Sequence, residues 1–150
     1  MQQSNEPTPY ELLGGETKVR ELVDRFYDYM DSLNEVSHIR VMHAKSLRVS
    51  REKLFLFLSG WLGGPDLYIQ KYGHPRLRMR HMPFAIDTQA RDQWLHCMNK
   101  ALDDMQLDYR LSEHLKRSFY ATADHMRNKS DHQANDQLKI VGSENKIKDS

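Results

Sequence analysis

Gly73-His74-Pro75-Arg76-Leu77-Arg78-Met79-Arg80-His81-Met82-Pro83-Phe84 is the most unusual stretch of the chain. Three arginines alternate with apolar residues and lead directly to His81. Proline pushes its predecessor out of the α region, so His74-Pro75 and Met82-Pro83 make residues 66–86 a loop with short helical pieces. Long irregular segments in compact domains tend to be functional. What flanks the stretch decides the kind of domain that holds it.

Upstream, Leu54-Phe55-Leu56-Phe57-Leu58, Trp61 and Leu62 form a helix apolar on nearly every side, expected to be buried on more than one face. Ser50 is its expected N-cap. Gly63-Gly64-Pro65 ends it, because glycine accepts left-handed dihedrals and proline cannot continue the ladder. Further upstream, Val19, Leu22, Val23, Phe26, Tyr27 and Met30 recur at spacings of three and four, an amphipathic helix that can begin at Gly14-Gly15. A short helix is expected through Val36 to Met42. Downstream, Asp87 or Thr88 caps a helix bearing Trp94, Cys97, Met98, Ala101, Leu102 and Met105 on one face. A last helix starting near Ser112 carries Leu115, Phe119, Ala123 and Met126. No sustained alternation marks a strand. The fold class expected is all-α.

Residues 1–8 are polar and proline-bearing and read as a disordered lead-in. From Asn128 onward the chain is polar again, with four Lys against three Asp and one Glu. Residues 129–150 are expected to be a flexible tail with little function. Lys and Arg total 22 against 21 Asp and Glu, a net charge of +1, so no nucleic-acid partner is expected. No apolar run is long enough to span a bilayer, and no membrane partner is expected. The N-terminus lacks the basic start and apolar stretch of a signal peptide. The single cysteine, Cys97, can form no internal disulfide and sits at helical apolar spacing, which reads as a packed thiol. A cytoplasmic location is expected.

Eight histidines invite a metal reading. Two cysteines would be needed for the common structural zinc sets, and no His-x3-His stands on a capped helix. A single-histidine site with a large organic cofactor needs fewer protein ligands, which makes haem the simpler hypothesis. With His81 on iron, Leu77, Met79 and Phe84 can pack on the macrocycle. The arginines can then meet its two propionates, which suit the guanidinium fork. A solvated basic loop, or a phosphate or RNA contact, explains the same composition. Tyr27 inside an apolar stripe, and Trp94, each need a partner for a buried donor. Backbone carbonyls would serve, and so would a polarised ligand in an apolar pocket.

Phe26-Tyr27, Trp61-Leu62-Gly63-Gly64-Pro65, Gly73-His74-Pro75-Arg76-Leu77-Arg78-Met79-Arg80-His81 and Trp94 stand in the order and spacing of group II truncated haemoglobins. The chain resembles that family over about residues 9–128. The resemblance implies a shortened globin, two helices stacked on two around haem b. It implies His81 as the proximal iron ligand, Tyr27 as the distal tyrosine and Trp94 as a donor to bound ligand. Phe26, Leu54 and Phe57 would line the distal pocket, with Ser50 where full-length globins carry a distal histidine. Arg80, Arg78 and Lys53 would pair with the propionates. His43 matches a pocket position held by Tyr, Phe or His among relatives. Relatives with His there usually follow it with Pro, whereas Ala44 follows here.

The function expected is reversible binding of oxygen or another diatomic ligand by a monomer or homodimer. The competing enzymatic reading is a haem enzyme acting on peroxide or nitrogen oxides. Its electrons would come from an external reductase, since no flavin or nicotinamide motif is present. A non-haem helical adaptor, using the arginine-rich loop for anionic partners, is the third reading. Tyr27 or His43 binding iron directly in the unliganded state is a further expectation.

Overall fold

The computed structural model describes residues 6–130, and among them every regular element is helical. Thr8 opens the fold. Its hydroxyl accepts from Glu11 N while the Glu11 carboxylate accepts from Thr8 N, a reciprocal cap that starts α1, Pro9–Leu13. Composition assigned Thr8 to the lead-in, but the cap makes it part of the domain. Residues 1–5 of that lead-in, and residues 131–150 of the expected tail, lie outside the described residues.

Helix α2, Gly15–Ser32, buries the stripe read from the sequence: Val19, Leu22, Val23, Phe26, Tyr27 and Met30. A 3₁₀ turn, Asn34–Val36, and α3, Ser37–Arg40, follow where one short helix was expected. Helix α4, Arg48–Trp61, starts before the expected cap. Its N-cap is Leu47, without a side-chain cap, and Ser50 lies inside the first turn. Ser50 is therefore free to face inward rather than to cap. Helix α4 ends against α1 because Gly63 and Gly64 leave room. A Cβ on Gly64 would stand 2.5 Å from the Tyr10 ring, and Gly63 holds φ +97°.

The irregular stretch holds two short helices, α5, Leu67–Tyr72, and α6, Leu77–His81. Asp87 caps α7, Thr88–Asp104, by accepting from Ala90 N. Helix α8, Tyr109–His125, starts at Asp108, which accepts from Arg110 N and Leu111 N, one turn before the expected Ser112.

Helices α2 and α4 pack as one layer and α7 and α8 as the other, with α2 crossing α7. This is the two-over-two stacking that the resemblance implies. The core between the layers includes Phe26, Leu58, Met98, Leu102 and Leu115, all essentially solvent-free. Cys97 belongs to it, and burial pushes its thiol up to about 11, so it packs as an apolar side chain. Arg51 joins α4 to α2 through Asp24 and Asp28, 3.1 and 2.9 Å away.

Candidate functional site

A cavity of about 500 Å³ opens between the two layers and is closed on one side by α5 and α6. Its wall on α6 follows from helix geometry. Leu77, Arg80 and His81 stand at positions i, i+3 and i+4, one face of a single turn, and all three line the cavity. Arg78 and Met79 fall on the other face. Both were expected at the site, and neither lines it; Met79 is 55% exposed. Reading the arginines as a simple alternation overlooked the roughly 100° turn per residue.

The His81 ring is fixed by one bond: Nδ1 lies 2.8 Å from the carbonyl oxygen of Leu77. A carbonyl only accepts, so Nδ1 carries the proton and Nε2 keeps its lone pair for a ligand bond. Among the described residues no group of three or more His, Cys, Asp or Glu could hold a bare metal ion. His81 alone therefore suits a metal that brings its other ligands with it.

Tyr27 and Trp94 line the cavity from α2 and α7. Tyr27 is 6% exposed, and burial holds its phenol above the ordinary tyrosine value, so it remains an O–H donor. The Ser50 hydroxyl is beside it. Trp94 makes no hydrogen bond among the described residues, which leaves its indole N–H as a second donor. Phe26 was expected in the lining but stands behind it, fully buried. Its ring is 4.8 Å from Tyr27 and 5.0 Å from Trp94, so it props both.

His43 also lines the cavity, its ring centroid 6.0 Å from that of Tyr27. Its Nδ1 lies 2.9 Å from the carbonyl oxygen of Ile39, which again puts the proton on Nδ1. Burial lowers its pKa and keeps the ring neutral. Neutral His43 thus offers the cavity an acceptor, not the extra donor its position suggests.

Leu54, Phe57 and Phe84 supply apolar wall as expected. Trp61, Tyr68, Phe119 and Met126 line the cavity too. In the sequence they carry only core-like spacing, with nothing to separate cavity wall from packed interior. Trp61 stacks on Phe119 at 4.7 Å and ties α4 to α8 below the cavity.

At the rim, Arg80 Nε donates to the carbonyl of Pro75 at 2.6 Å, which aims the guanidinium. Lys53 Nζ sits 5.3 Å from the Tyr72 ring centroid. Residues 67–86 contain no Asp or Glu, and neither Arg80 nor Lys53 has an ion-pair partner among the described residues. A mostly apolar cavity, one imidazole nitrogen free to ligate and two uncompensated cations at the rim fit a flat apolar macrocycle with two carboxylates.

The comparisons with known proteins point the same way. The family model described as bacterial-like globin matches residues 8–128. Group 2 truncated haemoglobin YjbI of Bacillus subtilis is 38% identical over 125 residues, which span 82% of this chain and 90% of that protein. Among solved structures, the cold-adapted truncated haemoglobin of the Antarctic marine bacterium Pseudoalteromonas haloplanktis is 50% identical. It superposes with a TM-score of 0.80 over 82% of this chain and 99% of that one. The group II 2-on-2 haemoglobin of Agrobacterium tumefaciens, 37% identical, gives 0.81 over 87% and 100%. The chain belongs to the bacterial-like globins and is a group II truncated haemoglobin.

Proposed function

We propose that the chain holds haem b through His81 Nε2 and binds oxygen, or another diatomic ligand, reversibly in the cavity. The observation that carries this is the His81–Leu77 bond, which leaves a ligating nitrogen in a mostly apolar cavity that Tyr27 and Trp94 also line. Haem, when bound, supplies a ferrous iron with an open position for a small ligand.

The chain does the rest. Arg80 and Lys53 take the propionates, and Leu77 and Phe84 pack on the ring from the His81 side. Leu54 and Phe57 keep the ligand side poor in water, so hydrogen bonds there are strong. Tyr27 and Trp94 donate to the ligand and slow its escape. Neutral His43, its proton held by the Ile39 carbonyl, leaves the one Tyr27 proton to the ligand. Reduced iron is maintained by an external reductase, and the protein works in the cytoplasm, where the lone buried Cys97 stays reduced.

Titration of the purified chain with haemin tests the proposal. One equivalent is expected to produce an intense Soret band that shifts on addition of dithionite and again with carbon monoxide. A chain that takes up no haem is the adaptor of the third reading, and the proposal fails.

A further inference from the structure

Helix α6, which carries His81, is a single turn with no fully buried residue, and its N-cap Arg76 is in the left-handed region at φ 46°. Packing alone does not hold such a turn. At its far end, however, three bonds converge on one side chain from the other end of the domain. Asn128 Oδ1 accepts from Ile86 N at 2.9 Å. Its Nδ2 donates to the carbonyl oxygens of Phe84, 2.9 Å away, and His81, 3.2 Å away. The backbone continues the contact, with Asn128 N and Lys129 N donating to the Ile86 carbonyl at 2.9 and 3.1 Å.

We infer that Asn128 is a positioning residue for His81, stapling the segment His81–Ile86 to the end of α8 and so fixing the angle at which the imidazole meets the iron. The inference rests on the haem reading above. The partners also settle the amide's orientation, since two carbonyls require the nitrogen and a backbone N–H requires the oxygen. Asparagine alone supplies one acceptor and two donors at this length. Aspartate keeps the acceptor for Ile86 but turns the other oxygen against two carbonyls. The sequence placed Asn128 at the domain's edge, where the polar composition begins, and gave it no role, because its side-chain partners lie 42 to 47 positions away in the chain.

The test uses Asn128→Ala and Asn128→Asp, with Arg127→Ala as control. Arg127 bonds Asp124 near the end of α8. Three readouts are needed: hydrogen exchange without haem, the iron–histidine stretching band of the ferrous loaded protein, and transfer of haem to apomyoglobin. In Asn128→Ala the Ile86 amide is expected to exchange about ten-fold faster. Both variants are expected to shift or broaden the iron–histidine band and to lose haem about ten-fold faster. Arg127→Ala is expected to do neither.

Faster exchange with an unaltered band and haem-loss rate makes Asn128 a purely structural staple and overturns the inference. Unaltered exchange overturns it as well. Failure of the haem reading is distinguishable, because the unsubstituted chain then takes up no haem, whereas hydrogen exchange in the chain without haem still reads the Asn128 staple.

Discussion

Tyr27 and Trp94 place two donors in one mostly apolar cavity, and each is expected to act on ligand escape. A hydrogen bond to a charged or strongly polarised group contributes about 1–3 kcal/mol. Tyr27→Phe and Trp94→Phe are therefore each expected to speed oxygen release by roughly five- to a hundred-fold, read by stopped-flow mixing. Unchanged off-rates in both variants would exclude them as donors. His43 makes a pH prediction. Its folded pKa is lowered by burial, so the unfolded chain takes up the proton first. Its contribution to stability is present above about pH 6.5, the ordinary histidine value, and declines as the pH falls below that. His43→Gln is expected to flatten the acid limb of denaturant-unfolding stability below about pH 6.5. Much of the site was legible as residue types. His81 stood out by its arginine-rich surroundings and Tyr27 by its apolar ones. Two things were hidden. Which of Arg78, Met79 and Arg80 turns inward depends on a one-turn helix, and the proton on His43 depends on the Ile39 carbonyl in α3.

Among the elements, α4 and α8 depend on each other through aromatic packing. Phe119 is 2% exposed and stacks on Trp61, while its ring also lies 5.8 Å from Trp94. Phe119→Ala is expected to cost about 3–5 kcal/mol of stability, measured by urea unfolding of the chain without haem. A cost under about 1 kcal/mol would mean that the cavity floor is not held by this stack. Helix starts were legible where a side chain caps, as at Asp87, whose carboxylate accepts from Ala90 N. Ser50 shows the limit of that signal. A serine ahead of an apolar run has the right chemistry for a cap, but α4 already begins at Arg48, and Arg51 then reaches Asp24 and Asp28 on α2. Tertiary contact outweighed the local preference.

The two helical layers enclose a cavity of about 500 Å³, and haem seated there would add its binding energy to the stability of the fold. A ligand that binds only the folded state stabilises it by roughly 4 kcal/mol at about a thousand-fold excess over its dissociation constant. Removing haem is therefore expected to lower Tm by about 10 °C or more, with the largest rise in hydrogen exchange across α5 and α6. An unchanged melting curve would contradict a cofactor seated between the layers. The helical class and the order of the main helices were legible from spacing and from Gly63-Gly64-Pro65. The cavity was not, because an apolar residue facing a void and one facing a neighbour share the same periodicity. The most direct measurement is the resonance Raman spectrum of the ferrous protein carrying His81→Gly, recorded with and without added imidazole. The expected result is loss of the iron–histidine band and its return, slightly shifted, when imidazole enters the vacated position. A band identical to that of the unsubstituted protein, with no response to imidazole, would contradict ligation by His81.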